Sequence, residues 1–110
     1  MINIYEEDDN SLMANLDIEE GNLGNADEFK AELVKLFDKH HKRIVLNMVR
    51  VEYIDSSFLG ALVSALKHLI SFGSDIVLVG LRKDIADLFA LIRLDKVFKI
   101  YSNFNEASTY

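Results

Sequence analysis

The segment Ile54-Asp55-Ser56-Ser57-Phe58-Leu59-Gly60 lies where a predicted strand ends and a predicted helix begins. The residues before it, Val51 to Ile54, favour a strand. After it, apolar residues recur at the spacing of one helix face, and Gly73 suits the position just beyond the helix end. A strand followed directly by a helix is typical of α/β sheets, whose ligand and regulatory sites collect at the carboxyl ends of the strands. This one segment therefore predicts both the fold class and a candidate site.

The N-terminal part of the chain predicts a pair of antiparallel strands. Ile2 and Ile4, and then alternate residues from Leu12 to Ile18, are apolar with polar neighbours, which is the period of a half-buried strand. The intervening segment Glu7-Asp8-Asp9-Asn10 favours a tight turn. We therefore expect a hairpin ahead of the first helix.

The remaining elements alternate between helix and strand. A loop with two glycines, Glu19 to Asn25, leads into a helix that Asn25 is placed to cap and that ends near His40 and His41. Further elements are expected at residues 44–48 (strand), 76–79 (strand), 85–92 (helix), 97–100 (edge strand) and 105–108 (helical turn). The order β-β-α-β-α-β-α-β-α predicts an α/β fold with a mixed sheet, parallel in its later part, in one domain spanning residues 1–110.

The amino-acid composition excludes several kinds of site and argues against several kinds of partner. The 110 residues are 50% hydrophobic and carry a net charge of −6, which argues against nucleic acid or an anionic membrane as the main partner. The chain has no cysteine, which excludes disulfides, thiolate metal sites and thiol catalysis. Residues 1–8 show no basic region followed by an apolar stretch, so we expect no signal peptide and a cytoplasmic location.

Two interpretations of Asp55 and Ser56 are open on local sequence. One is structural, because either side chain can cap the N-terminus of the following helix. The other is that the Ser56 hydroxyl faces solvent and accepts a phosphoryl group. A phosphoserine carries about −1.5 to −2 charges, which the helix N-terminus favours and the neighbouring Asp55 opposes. We therefore expect phosphorylation to change the surface and leave the fold intact.

A serine hydrolase fits the sequence poorly. A nucleophile elbow requires Gly-x-Ser-x-Gly, which the neighbours of Ser56 do not supply. His68 lies three turns along the predicted helix from Ser56, about 18 Å by helical rise. His40 and His41 lie at the far end of another helix. We expect no catalytic residue.

Metal and phosphate-binding motifs are also weak. The adjacent His40 and His41 point about 100° apart on a helix, which is poor for chelation. Gly21 and Gly24 form a Gly-x-x-Gly pair without a lysine, so they are expected to serve turn geometry. We expect no metal site and no cofactor.

The chain resembles the STAS domain family, and within it the bacterial anti-sigma-factor antagonists, over essentially its whole length. The most specific match is Asp55-Ser56-Ser57 with the following Leu59-Gly60. Looser matches are residues 44–48, Leu78-Val79-Gly80-Leu81, and Val97 to Tyr101 with Glu106-Ala107. The resemblance implies a mixed sheet of four or five strands with helices packed mainly on one face, which agrees with the element order predicted above.

The resemblance also implies a function. The unphosphorylated protein would bind an anti-sigma factor that is also a serine kinase, and so free a sigma factor. The kinase then phosphorylates the first serine of the motif, here Ser56, which ends the interaction, and a serine phosphatase restores it. Asp55 and Ser57 frame the acceptor. This is a regulatory binding protein without catalytic activity, which we expect to be monomeric when free.

The partner is expected to dock on the loop before the first helix and on the start of the second. The residues are Asn22, Leu23, Gly24, Asn25, Asp55, Ser56, Ser57, Phe58 and Leu59. Many family members have aspartate where Asn22 stands, and commonly glycine where Phe58 stands. Phe58 is expected to be either a core anchor or a partner contact. Two rival interpretations are a STAS scaffold subunit of a larger signalling assembly and a nucleotide-binding domain, the second lacking a lysine-bearing phosphate loop.

Overall fold

The structure, a computed structural model, describes residues 1–108 and contains strands and helices in the predicted alternation. The strands are β1 (Ile2–Glu7), β2 (Ser11–Leu16), β3 (Glu20–Gly21), β4 (Arg43–Asn47), β5 (Tyr53–Ile54), β6 (Ile76–Val79) and β7 (Lys99–Tyr101). The helices are α1 (Ala26–His40), α2 (Ser56–Ser71), α3 (Lys83–Leu91) and α4 (Phe104–Ser108), with a 3₁₀ turn, Leu94–Lys96, after α3.

The main sheet has five strands in the order β1-β2-β4-β6-β7. β1 runs antiparallel to β2, and the other neighbouring pairs are parallel. The predicted mixed sheet and the predicted N-terminal hairpin are therefore confirmed. The inner strands β4 and β6 carry buried apolar runs, residues 44–46 and 76–79, as expected where both faces are covered.

Helices α1, α2 and α3 cover one face of the sheet, which confirms the predicted packing. The core on that face joins aromatic and branched side chains from the helices to alternate strand residues, among them Phe29, Phe37, Phe58, Leu62, Leu66, Phe89, Ala14, Leu46 and Leu78. The short helix α4 lies on the other face, where Ala107 packs with Met13, Val45, Val77 and Val79.

This second packing layer corrects the prediction for β2. Alternation predicted a strand with one solvent-facing side, yet Met13 is as buried as its neighbours Leu12 and Ala14. The reason is tertiary, because Met13 packs in the layer that α4 covers. The edge strand β1 also departs from the predicted alternation, because Ile2 is partly buried whereas Ile4, the next apolar position, is 51% exposed.

Residues 20–21 were predicted as loop and instead form β3. They pair in parallel with Tyr53 and Ile54 of β5, which forms a separate small sheet and does not extend β4. A two-residue strand has no sequence period to detect, so only the pairing reveals it. This small sheet positions the candidate site, since β3 leads into the loop before α1 and β5 leads into α2.

Helix α2 begins and ends as predicted. It starts at Ser56 and its last residue is Ser71, and Gly73 has the left-handed backbone (φ +76°) that favours glycine beyond a helix end. Across residues 1–108 no helix is long and apolar enough to cross a membrane.

Candidate functional site

The candidate site consists of the loop before α1 and the start of α2, and the carboxylate of Asp55 connects these two parts. Its Oδ1 accepts a hydrogen bond from the Phe58 N–H at 3.0 Å, which caps α2. Its Oδ2 accepts another from the Leu23 N–H at 3.0 Å, in the loop before α1. The Asp55 N–H donates to the Gly21 carbonyl at 2.9 Å. The loop and the start of α2 are therefore held together at the carboxyl ends of β3 and β5.

The loop from Asn22 to Asn25 is closed by its own side chains. Asn22 Oδ1 accepts from the Gly24 N–H at 2.9 Å, and Asn25 Oδ1 accepts from the Asn22 N–H at 2.9 Å. Asn25 precedes α1, but its side chain makes no capping bond to the helix, so the predicted cap is wrong. The amide is used inside the loop instead, where its Nδ2 also donates to the Glu20 carbonyl. The result is an ordered loop with Leu23 76% exposed at its tip.

Ser56 is exposed, and its hydroxyl makes no hydrogen bond to the rest of residues 1–108. Because Asp55 supplies the cap, the structural interpretation that local sequence allowed for Ser56 does not hold. Of the first N–H groups of α2, that of Phe58 is bonded to Asp55, while those of Ser56 and Ser57 have no acceptor in the helix. A phosphoryl group on Ser56 would therefore meet free N–H donors and the positive end of the helix dipole.

Phe58 is a core anchor. Its side chain is fully buried and stacks on Phe29 of α1, with ring centroids 4.3 Å apart. Gly21 allows this, because a Cβ at that position would lie 2.5 Å from the Phe58 ring. The sequence assigned Gly21 to turn geometry, and the actual reason is the space that the ring occupies. Of the two roles open for Phe58, a partner contact through the side chain would require the ring to leave the core.

The histidines are engaged elsewhere. His68 Nε2 lies 2.8 Å from Asp38 Oδ1 on α1, and His40 Nδ1 lies 3.1 Å from Glu7 Oε2. The His40 side chain is only 15% exposed, so it is more enclosed than the surface position predicted for it. Within residues 1–108 no group of three or more acidic or histidine side chains is arranged to hold a metal ion.

A cluster of ion pairs lies at the end of the main sheet where the parallel strands begin. Lys42 Nζ lies 2.8 Å from Glu7 Oε2, and hydrogen bonds from Lys42 and then His40 lower the pKa of Glu7. The backbone N–H groups of Asn10 and then Ser11 lower the pKa of Asp8. These groups lie at the opposite end of the sheet from Ser56, which separates the charged cluster from the candidate site.

Comparison with known proteins places this geometry in a family. The sequence profile of the STAS domain matches residues 18–107. A protein of Thermotoga maritima named "Putative anti-sigma factor antagonist" is 35% identical over 97 residues, covering 87% of this chain and 83% of that protein. A Bordetella bronchiseptica protein named "Putative anti-sigma factor antagonist BtrV" is 30% identical over 87 residues, covering 79% of this chain and 74% of its own length.

Solved structures agree on the fold. SpoIIAA, an anti-sigma factor antagonist in its unphosphorylated form, superposes with a TM-score of 0.78 at 15% identity, covering 97% of this chain and 92% of that one. SpoIIAA of Bacillus in its phosphorylated form gives a TM-score of 0.72 at 15% identity, covering 99% and 97%. At this identity the likeness shows a shared fold alone.

Proposed function

The chain belongs to the STAS domain family, and on that premise we propose that it is an anti-sigma-factor antagonist switched by phosphorylation of Ser56. The observation that carries the proposal is the exposed Ser56 hydroxyl, unengaged at the start of a helix that Asp55 has already capped. The relatives named as anti-sigma factor antagonists support the class of function. SpoIIAA, which shares the fold, is known in a phosphorylated form.

In the proposed unphosphorylated state, the partner docks on the loop and on the first turns of α2. The contact surface is formed by Asn22, Leu23, Gly24, Asn25, Asp55, Ser56, Ser57 and the small accessible part of Leu59, which is 9% exposed. Phe58 contributes indirectly, because its buried ring fixes the position at which α2 starts. The Asp55 carboxylate keeps both parts of this surface in one arrangement.

Phosphorylation acts through surface charge and volume. About two negative charges on Ser56 would be added beside Asp55, on a chain whose net charge is already −6. The two free N–H groups at the start of α2 can donate hydrogen bonds to the phosphate oxygens without breaking the cap. The fold therefore persists while a partner suited to a neutral hydroxyl is repelled.

The partner in this scheme is an anti-sigma factor with serine kinase activity, and a serine phosphatase reverses the modification. The protein itself has no catalytic role, acts in the cytoplasm and is monomeric when free. A hydrolase finds no support in the histidines, since His68 lies about 18 Å from Ser56 along α2 and His40 pairs with Glu7 at the opposite end of the sheet.

The direct test is phosphate mapping. The chain is incubated with ATP and each purified serine-kinase anti-sigma factor of the same genome, and the modified residue is located by mass spectrometry. We expect one phosphate on Ser56, loss of modification in Ser56→Ala, and retained modification in the matched variant Ser57→Ala. Full phosphorylation of Ser56→Ala would overturn the assignment.

A second test separates switching from unfolding. Ser56→Asp should weaken binding to the kinase about tenfold or more, with circular dichroism and melting temperature close to those of the unmodified chain. Ser57→Asp adds the same charge one residue away and, since Ser57 belongs to the same contact surface, should weaken binding by less than Ser56→Asp. A large loss of helix signal in Ser56→Asp would mean that the switch works through the fold.

A further inference from the structure

A mainly apolar groove continues from Ser56 along the exposed side of α2. Gly60 lies in it one turn beyond Ser56, and its walls are formed by Leu59 and Val63 of α2 and by Ile92 and Leu94 after α3. Ile92 is 44% exposed, and the adjacent Leu91 is 79% exposed. The groove thus joins the proposed docking surface to a second exposed apolar patch, formed by Leu91 and Ile92 at the end of α3.

The far end of the groove carries one positive charge. Lys67 lines it, about 16 Å from Ser56 along the helix axis, and within residues 1–108 it makes no ion pair. Residues 56–71 contain no acidic side chain, although the whole chain has 18 acidic residues. An unpaired lysine beside apolar walls favours an occupant with an apolar face and a negative charge.

We propose that this groove receives an amphipathic helix of the anti-sigma factor, with an acidic side chain of that helix opposite Lys67. A helix satisfies its own backbone hydrogen bonds, which suits a groove lined by α2 and by the segment after α3 without a strand edge. The lack of a side chain at Gly60 lets the backbone of the occupant approach closely. The inference rests on the proposed function, since it specifies which further surface the same partner uses.

Gly60 provides a test that separates binding from stability. A Cβ added at Gly60 meets nothing within 4 Å, and glycine is unfavourable inside a helix. Gly60→Ala should therefore raise the melting temperature and, because its Cβ takes part of the space left for the backbone of the occupant, raise the Kd by less than Gly60→Trp does. Gly60→Trp fills the groove with a large side chain and should raise the Kd at least about tenfold.

A variant of Lys67 tests whether an acidic side chain of the partner lies opposite this lysine. Lys67→Glu should raise the Kd about tenfold and remove much of the salt dependence of binding. Lys35→Glu makes the same charge change at an exposed position of α1 outside the groove, and should leave the Kd within about twofold. Because Lys67 is on the surface, this variant remains informative if Gly60→Trp fails to fold.

Binding is measured by titration calorimetry against the kinase that passes the phosphate-mapping test. Weakened binding of Gly60→Trp and Lys67→Glu, with a smaller loss in Gly60→Ala and unchanged binding of Lys35→Glu, supports the groove. If the unmodified chain binds and Lys67→Glu binds equally well, the groove inference falls and the proposed function stands. If the unmodified chain binds none of the kinases, both fall.

Discussion

The two ends of the main sheet use polar side chains in different ways. At the amino ends of the strands, charges pair with charges, as in the bidentate contact of Arg43 with Asp75 at 2.6 and 3.1 Å. At the opposite end, where the small sheet of β3 and β5 leads into the site, the Asp55 carboxylate accepts hydrogen bonds from the backbone N–H groups of Phe58 and Leu23, and exposed ion pairs such as that of Arg50 with Asp17 also occur there. The first arrangement satisfies charges within the fold. The second orders the backbone and leaves the Ser56 hydroxyl free, which is what a modifiable site requires.

The comparison is sharpest on α2, which has a phenylalanine near each end. Phe58 is fully buried at its start, and Phe72, just beyond its last residue, is 62% exposed. We expect Phe58→Ala to cost about 3–5 kcal/mol, the range for truncating a buried aromatic ring. Phe72→Ala should cost about 1 kcal/mol or less. Urea unfolding of both variants measures the difference, and equal costs would contradict the description of the two ends.

Gly21 offers the next largest effect. In Gly21→Ala the new Cβ would lie 2.5 Å from the Phe58 ring, so the ring or the strand must move. We expect a loss of about 1–3 kcal/mol, typical of overpacking. The double variant Gly21→Ala with Phe58→Leu should be less destabilised than the sum of the single variants. Strict additivity, measured by the same denaturation, would show that the close approach is not the cause.

Two variants of Asp55 test whether its carboxylate connects the loop before α1 to the start of α2. Asp55→Ala should cost about 1 kcal/mol through loss of the cap. Asp55→Ser can still cap α2 with its hydroxyl, but it offers no second oxygen to the Leu23 N–H. We therefore expect near-normal stability in Asp55→Ser with faster hydrogen exchange at the Leu23 amide. An unchanged exchange rate at Leu23 in both variants would exclude the connection.

The smallest effect concerns pH at the amino ends of the strands. The folded chain lowers the pKa of Glu7 below its usual 4.5, and that of Asp8 below 3.8. A carboxyl group whose pKa is lower in the folded chain than in the unfolded chain stabilises the fold at any pH above its unfolded pKa. That stabilisation is lost as the pH falls through the folded pKa. Melting temperature should thus decline below about pH 4.5, and less steeply in Glu7→Gln. The matched variant Glu6→Gln, an exposed neighbour on β1, should keep the full decline.

Much of the architecture followed from residue patterns. Apolar spacing predicted α1, α2 and α3, and the turn residues Glu7 to Asn10 predicted the antiparallel hairpin. These signals are local, because helix faces and turns are set by residues close in sequence. The bounds of the last strand shifted, from residues 97–100 to Lys99–Tyr101, because strand ends depend on their neighbours.

The structural features that the sequence did not predict share a physical cause. The pairing of β3 with β5, the burial of Met13 and the amide of Asn25 within its loop all depend on segments brought together by folding. The space that Gly21 leaves for Phe58, 37 residues further along the chain, is of the same kind. No local pattern carries such information.

The sequence alone determined the order of elements and placed Asp55, Ser56 and Ser57 at a strand-to-helix junction. The tertiary structure decided which of them caps the helix and which is free. Asp55 is engaged on both sides because β3 brings the Leu23 loop beside α2. Ser56 is left with an exposed hydroxyl because the two oxygens of Asp55 satisfy the N–H groups of both Phe58 and Leu23, so neither needs the serine.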